Sequence, residues 1–218
     1  MLGGSILSIS KERSYVWYAS YGSNLSRERF LCYIKGGRPK GSEKREVGCR
    51  DKSLPIAEGT HIMPYPLYFA KESQRWQRQG VAFIGLSKDE QFHTYSRKYL
   101  ITEEQFMDVV KQENNGAEIH IDLEKVMESG YKTLRDSWYG TILFLGEEDG
   151  YPIVTFTADW DLDVPFHTPS KEYLSMIIHG LKSTLSLENK DILDYLITKP
   201  GIDGHYTTAR LEKIIEEV

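Results

Sequence analysis

The YGSNL segment at positions 21–25 combines residue types that can build an anion-binding turn. It follows a β-branched and aromatic run, which predicts a buried strand, and it precedes a helix predicted over 27–34. Gly22 can adopt backbone angles that are closed to other residues, and Asn24 or Ser26 can cap the helix. Unpaired N–H groups at the positive end of a helix suit a carboxylate or a developing oxyanion. Helix capping without any ligand is the alternative explanation of the same residues.

The helix predicted over 102–114 is the best specified in the chain. Thr102 and Gln105 have the spacing of a capping box, which fixes where the helix begins. The Asn-Asn-Gly run at 114–116 predicts that the helix ends in a left-handed cap. The sequence therefore defines both ends of this helix.

Glu113, at the carboxyl end of this helix, is the candidate catalytic residue. The helical period places it within the apolar stripe of Phe106, Val109 and Val110, so its carboxylate is expected to point inward. The helix dipole and partial burial both disfavour the charged form, which suits a general base near neutral pH. If the helix end frays instead, Glu113 faces water and has no chemical role.

The remaining elements follow from hydrophobic periodicity and turn residues. Strands are predicted over 46–50, 61–70, 80–86, 97–101, 138–145 and 151–157, and helices over 170–180, 189–197 and 208–218. The last two strands are joined through Gly146–Gly150, which is a hairpin signal. Strands dominate the middle of the chain and helices its end. This order predicts an α+β fold with a mixed, mostly antiparallel sheet or a small barrel.

Composition narrows the class of protein. The chain has 218 residues, of which 40% are hydrophobic and 12% aromatic, enough to fill a core. We expect a flexible tail over 1–13 and a single domain over 14–218. The net charge of −5 is unfavourable for sequence-independent binding to nucleic acid, and no apolar run reaches the roughly twenty residues of a membrane span. The two cysteines form no metal or redox motif, so we expect a protein of the reducing cytoplasm.

Motifs for metal, nucleotide or serine chemistry are not found in the sequence. The histidines lack metal-ligand spacing, and there is neither a Gly-x-Ser-x-Gly elbow nor a phosphate-binding loop. The segment 159–163 begins like a calcium loop, but Val164 and Ser170 stand where that loop needs Gly and Glu. No metal or cofactor is therefore expected. The Gly-rich, basic stretch 35–45 predicts a solvated loop, or alternatively a lid whose cations attract an anionic substrate.

In these residues the chain resembles the γ-glutamylcyclotransferase family. The YGSNL segment is similar to the family's entry motif, and the run 99–113 is similar to the segment that ends in its catalytic glutamate. Gly80 begins a stretch that resembles the Gly-rich strand beside the ligand, and Tyr173 lies on a late helix that resembles the one whose tyrosine reaches the site. Two features depart from the family pattern. Asn114 stands where a glycine commonly follows the glutamate, and the loop 35–54 is long.

The resemblance implies an enzyme that cyclises a γ-glutamyl compound to 5-oxoproline and releases an amine or amino acid. Glu113 would remove a proton from the α-ammonium group, and the freed amine would attack the γ-carbonyl of the same molecule. The implied catalytic residue is Glu113, and the implied substrate-binding residues are Tyr21, Gly22, Ser23, Asn24, Leu25, Gly80 and Tyr173. The implied partner is a small-molecule γ-glutamyl substrate, with no metal, cofactor, nucleic acid or membrane, and a homodimer is possible.

Two other interpretations stay open at this point. A non-catalytic module of the same fold would bind a small molecule or a protein in the same cavity. A different amide-transfer reaction, on a γ-glutamylamine or a modified γ-glutamyl group, would use the same base. The position of Glu113 separates an enzyme from a binding module, since a catalytic Glu113 must lie in a pocket that faces the turn at 22–24.

Overall fold

The computed structural model describes residues 14–39 and 44–218. The tail expected over 1–13 lies outside the described residues, and so do residues 40–43 of the basic loop.

Eight strands within the described residues form two sheets. They are β1 (Tyr15–Ser20), β2 (Ala57–Met63), β3 (Leu67–Ser73), β4 (Gln79–Ile84), β5 (Thr94–Thr102), β6 (Tyr131–Thr133), β7 (Thr141–Glu148) and β8 (Tyr151–Thr157). The larger sheet has the order β2-β5-β1-β8-β7-β6, and β3 pairs with β4 in an antiparallel hairpin. Neighbours in the larger sheet are antiparallel except β1 and β8, which run parallel. The predicted α+β fold with a mixed, mostly antiparallel sheet is therefore confirmed.

Helices cover both faces of the larger sheet. In the described part of the chain they are α1 (Arg27–Lys35), α2 (Glu103–Glu113), α3 (Leu123–Ser129), α4 (Lys171–Leu185), α5 (Asn189–Ile197) and α6 (Thr208–Glu217). Two short 3-10 turns, Ser23–Leu25 and Gln74–Trp76, follow β1 and β3. The first of these turns is the segment that the sequence singled out.

Side-chain alternation in β1 divides the core into two layers. Val16 and Tyr18 face one side of the larger sheet, where α1, α2 and α3 pack. Trp17 and Ala19 face the other side, where the β3–β4 hairpin and α4, α5 and α6 pack. Because successive side chains of a strand point to opposite faces, the apolar run of β1 is buried on both sides. The carboxyl end of β1 is consequently flanked by elements from both layers.

The β3–β4 hairpin is tied to β8 through Thr157. The Thr157 hydroxyl donates to the Ile84 carbonyl (2.8 Å) and accepts from the Ile84 N–H (3.3 Å). At the other end of β4, the Gly80 N–H donates to the Thr168 carbonyl (2.9 Å), and a Cβ on Gly80 would lie 1.9 Å from the His167 carbonyl oxygen. A residue larger than glycine therefore cannot occupy position 80 without moving this backbone.

The capping box predicted at the start of α2 is present. The Thr102 hydroxyl accepts from the Gln105 N–H (3.1 Å), and the Gln105 side chain accepts from the Thr102 N–H (3.0 Å). Asn115 and Gly116 both have positive φ beyond the end of the helix, as the Asn-Asn-Gly run predicted. The position of Glu113, the last residue of α2, is thus defined from both ends.

Several local predictions were wrong. The strand predicted over 46–50 is only an isolated bridge between Gly37 and Glu46, and the strand predicted over 61–70 is split into β2 and β3. Neither α3 nor β6 was predicted. Ser26 precedes α1, but its side chain makes no capping hydrogen bond.

We predict that replacement of Gly180 on α4 by a larger residue destabilises the protein. A Cβ at this position would lie 2.4 Å from the Leu25 Cβ, so the helix approaches the 3-10 turn too closely for any side chain. Alanine stabilises an open helix position by up to about 1 kcal/mol relative to glycine, but overpacking here should dominate. We expect Gly180→Ala to lower the free energy of unfolding by about 1–3 kcal/mol in denaturant titrations. The neighbouring exposed variant His179→Ala should change it by less than about 0.5 kcal/mol, and equal effects of the two would contradict this packing.

Candidate active site

A cavity of about 1070 Å³ opens where α1, α2, α4 and the connection of the β3–β4 hairpin meet. Its described lining includes residues from both layers and from the turn after β1. The lining residues that matter most for chemistry are Ser23, Tyr33, Arg75, Glu113, Tyr139 and Tyr173. Three of the residues predicted from the sequence, Ser23, Glu113 and Tyr173, therefore share one cavity although they are far apart in the chain.

Glu113 reaches this cavity from the end of α2 and is half-buried. The expectation that its side chain points inward is therefore met. The alternative of a frayed, solvent-facing helix end is not observed.

Asn114, the residue that departs from the family pattern, anchors the end of the helix. Its side chain is buried, and its Nδ2 donates to the Val110 carbonyl (2.8 Å) and to the Tyr139 carbonyl (3.0 Å). Its Oδ1 accepts from the Ser137 hydroxyl (2.5 Å). A glycine could make none of these bonds. Asn114 thus ties the end of α2, directly after Glu113, to the loop that contributes Tyr139 to the cavity wall.

The turn after β1 meets Tyr173 at close range. The Tyr173 hydroxyl accepts from the N–H group of Ala82 (3.0 Å). A Cβ on Gly22 would lie 3.1 Å from this hydroxyl, so glycine at position 22 permits the approach. Gly22 has φ −105°, which lies outside the left-handed region. The predicted need for unusual backbone angles at this position is therefore replaced by a need for the small size of glycine. Since the hydrogen bond from Ala82 uses the Tyr173 oxygen as acceptor, the O–H hydrogen of Tyr173 is available to a ligand.

The phenols around Glu113 are neutral at physiological pH. Burial raises the pKa of Tyr173 to about 12 against the lowering effect of the Ala82 N–H, and the charge of Glu113 adds to the rise. Burial also raises the pKa of Tyr33 well above its ordinary value, and Glu113 is the next contributor. The pKa of Tyr139 is raised in the same way, first by burial and to a smaller extent by Glu113. The three phenols therefore line the cavity beside Glu113 as neutral groups rather than as charges.

Two arginines on the cavity wall share one buried carboxylate. Glu46 Oε1 accepts from Arg29 Nη1 (2.9 Å) and forms an ion pair with Arg75 Nη1 (3.0 Å). The Tyr33 hydroxyl accepts from Arg29 Nη2 (3.1 Å) and from Arg75 Nη1 (3.2 Å). Glu46 and Arg29 are only 3% exposed, so this ion pair is desolvated. We call these four residues the arginine cluster.

The other residues implied by the resemblance do not line the cavity. The Tyr21 hydroxyl donates to the Phe156 carbonyl (2.8 Å), and Leu25 packs against Gly180. Asn24 is buried, with its Nδ2 donating to the Tyr18 hydroxyl (3.3 Å) and its carbonyl accepting from Tyr99 (2.8 Å). Gly80 lies against the backbone at 167–168, as described above. In this structure these residues shape the turn and its surroundings, and the geometry assigns them no contact with a ligand.

Sequence reasoning missed the arginine cluster. Arg29 and Tyr33 are four residues apart on one face of α1, a spacing that could have been noticed. Glu46 and Arg75 carry no local signal, because their pairing depends on contacts between distant segments.

Within residues 14–39 and 44–218 no group of three or more His, Cys, Asp or Glu side chains could hold a metal ion. None of the described helices is long and apolar enough to cross a membrane.

The shared carboxylate predicts a large effect of Glu46→Gln. Without the charge of Glu46, the buried guanidinium group of Arg29 and the partly buried one of Arg75 lose their counter-ion, which should lower the free energy of unfolding by about 3–5 kcal/mol. Glu104→Gln is the matched control, because Glu104 pairs with Arg50 on the surface, where both side chains are largely exposed. Its effect should stay below about 0.5 kcal/mol in the same denaturant titration. Similar effects of the two substitutions would show that the arginine cluster does not depend on Glu46.

The raised phenol pKa values predict a loss of stability in alkali. Unfolded tyrosines release their protons near pH 10, whereas the buried ones hold theirs to a higher pH. The stability that they contribute is therefore complete below about pH 10 and falls as the pH rises towards 12 and beyond. Urea titrations across this range, followed together with tyrosinate absorbance, should show this fall. Tyr173→Phe should make it shallower, whereas Tyr131→Phe, at a position 45% exposed, should leave it unchanged.

Comparison with known proteins gives one curated relative and several solved structures. Models of known protein families yielded no match to this chain. Histone deacetylase 5 of Arabidopsis thaliana is 36% identical over 206 residues, which cover 85% of this chain and 31% of that protein. The chain thus spans about a third of the length of the curated relative that it matches.

The solved structures are distant in sequence. A γ-glutamyl cyclotransferase is 16% identical, with coverage of 94% of this chain and 100% of its own length, at a TM-score of 0.47. An uncharacterized human protein is also 16% identical, with coverage of 93% and 99% and a TM-score of 0.50. At this identity a likeness shows the fold alone, and the fold shared with the uncharacterized human protein is the α+β arrangement described above.

Proposed function

We propose that this chain is a γ-glutamylcyclotransferase-type enzyme, which converts a γ-glutamyl compound into 5-oxoproline and a free amine or amino acid. The observation that carries the proposal is the shared cavity. It brings the half-buried carboxylate of Glu113 together with the turn residue Ser23 and the hydroxyl of Tyr173. A base, a backbone turn and a directed hydroxyl are the groups that an intramolecular attack on an amide requires.

Glu113 is the proton acceptor in the proposed first step. Its carboxylate takes a proton from the α-ammonium group of the substrate, and the nitrogen gains the lone pair that it needs as a nucleophile. The nitrogen then attacks the γ-carbonyl carbon of the same molecule and forms the five-membered ring. Because the two reacting groups belong to one molecule, the cavity only has to hold the conformer in which they meet.

Tyr173 and the turn stabilise the charge that develops on the γ-carbonyl oxygen. The Tyr173 hydroxyl accepts the backbone N–H of Ala82, and its own hydrogen is then free to be donated to the oxyanion. Acceptance of a hydrogen bond strengthens a hydroxyl as a donor. We place the γ-carbonyl oxygen beside Tyr173 and Ser23 for this reason.

Glu113 completes the reaction by returning the proton. As the bond between the γ-carbon and the leaving nitrogen breaks, the neutral Glu113 carboxyl group protonates that nitrogen. The carboxylate is regenerated, and the atoms of substrate and products balance without a further reactant. Asn114 has a positioning role in this scheme, because it fixes the end of the helix that carries the base.

The name of the Arabidopsis relative does not extend to this chain. The aligned segment amounts to 31% of that protein, so the likeness does not say which part of it carries the named activity. An acetylated lysine peptide nevertheless belongs among the substrates to be assayed.

The proposal predicts the behaviour of Glu113→Gln. Purified protein should release 5-oxoproline from at least one member of a panel of γ-glutamyl amino acids, γ-glutamylamines and glutathione. The substitution keeps the size of the side chain but removes the base, so turnover should fall by at least about 100-fold with little change in the free energy of unfolding. Glu104→Gln, on the exposed side of the same helix, should retain the full rate.

Two outcomes would contradict the proposal. If Glu113→Gln keeps the wild-type rate, Glu113 is not the base. If no γ-glutamyl compound yields 5-oxoproline although the compounds bind, the chain is a binding module of this fold.

A further inference from the structure

The cavity has a charge opposite to that of the chain. The chain carries a net charge of −5, yet the described cavity lining holds five basic residues, Arg29, Lys44, Lys71, Arg75 and Arg135, against three acidic ones, Glu72, Glu113 and Asp136. A basic cavity in an acidic protein attracts anions. Of the basic residues, Arg29 and Arg75 are held in place by the arginine cluster.

Arg75 has one edge of its guanidinium group occupied and the other available. Its Nη1 forms the ion pair with Glu46 Oε1 and donates to the Tyr33 hydroxyl. Among the described residues, no hydrogen bond involves its Nε or Nη2. These two nitrogens present parallel N–H donors, the arrangement that binds both oxygens of a carboxylate. The Arg75 side chain is 17% exposed and lines the cavity, so a ligand can reach this edge.

Arg29 lies behind Arg75 and fits a supporting role. It is almost completely buried, and its Nε has no partner in the part of the chain that the structure describes. Its other nitrogens bind Glu46 and Tyr33. Two positive charges thus face one buried carboxylate, which leaves the cluster with a surplus positive charge beside the cavity.

The arginine cluster lies close to the base. Tyr33, which both arginines contact, lines the cavity together with Glu113, and Glu113 is a main contributor to the raised pKa of Tyr33. In a γ-glutamyl group, the α-ammonium and the α-carboxylate are attached to the same carbon atom. A base placed to deprotonate that nitrogen must therefore have the α-carboxylate close to it.

We propose that Arg75 binds the α-carboxylate of the γ-glutamyl group through its Nε and Nη2 edge, and that Arg75 is the residue that selects for this carboxylate. This inference rests on the proposed function. It adds to that function by assigning carboxylate binding and stabilisation of the γ-carbonyl oxygen to different residues. Arg75 holds the carboxylate, while the turn at Ser23 and the Tyr173 hydroxyl are left for the γ-carbonyl oxygen. Glu113 then stands beside the α-nitrogen between these two anchors.

A pair of substrates tests the proposal through turnover. One is γ-glutamyl-ethylamide, and the other is the same compound with its α-carboxylate replaced by a carboxamide. Wild-type protein should favour the carboxylate in kcat/KM by about 10- to 100-fold, the range of a charge-assisted hydrogen bond. Arg75→Gln should remove most of this preference, mainly through a higher KM, because the contact is present in the ground state as well as in the transition state.

Two further variants make the result specific. Arg75→Lys keeps the charge but not the two-donor edge, so much of the preference should still be lost. Arg78→Gln removes an exposed arginine from the same connection, outside the cavity lining, and should behave as wild type. The Arg75 variants should fold, since Glu46 keeps its bond to Arg29, and denaturant titration checks this.

Other outcomes would overturn the inference while leaving the proposed function intact. If Arg75→Gln keeps the wild-type preference for the carboxylate substrate over the carboxamide, the inference is overturned. A loss confined to γ-glutamyl-alanine, with γ-glutamyl-ethylamide unaffected, would place the contact on the carboxylate of the leaving group and would equally overturn it.

Calorimetric titration with 5-oxoproline tests carboxylate binding without turnover, because this compound keeps the α-carboxylate. Wild-type protein and Arg78→Gln should bind it, and Arg75→Gln should bind it at least about 10-fold more weakly. If no substrate is turned over but this pattern is found, the proposed function fails and carboxylate recognition by Arg75 stands. If wild-type protein neither binds 5-oxoproline nor turns over a γ-glutamyl compound, both fail.

Discussion

The position of β1 in the larger sheet is the constraint on which the site depends. Its neighbours are β5 on one side and β8 on the other, and its successive side chains are buried in opposite layers. As a result, α2 packs on one face and α4 on the other, and the ends of both helices are within reach of the turn that follows the strand. Glu113 and Tyr173 thus approach one cavity from opposite sides of the sheet. A shift of one residue in the register of β1 would exchange the two sets of buried side chains and separate these groups.

Local sequence patterns predicted those elements whose ends have a chemical cause. The beginning of α2 is fixed by the bonds between Thr102 and Gln105, and α5 and β8 coincide with the predicted ranges because their periodicity and flanking turns are clear. By contrast, α3 buries only Val126, so it has no apolar stripe from which a helix could be recognised. Glu46 was assigned to a strand because its neighbours are compatible with one. Its actual environment is set by arginines from two other segments.

The candidate site shows the same division. Glu113 could be located from the period of its helix, and Ser23 and Tyr173 from a resemblance in short motifs. Their shared cavity is a property of the fold that no local pattern contains. Within the YGSNL segment the residues differ in what they contact. Four of its five residues maintain the turn through contacts with Phe156, Tyr99, Gly180 and Tyr173, and Ser23 is the one that lines the cavity.

The carboxylate shared by Arg29 and Arg75 also restricts how a ligand can enter and leave. Arg75 lies on the connection between β3 and β4, and Trp76 beside it packs against the Tyr173 ring with 5.0 Å between ring centroids. An outward swing of this connection would separate Arg75 from Glu46 and Trp76 from Tyr173 at the same time, with the cost of uncovering a desolvated charge. We therefore expect the connection between β3 and β4 to stay in place when a ligand binds or leaves. A ligand is then expected to enter and leave through the existing opening of the cavity.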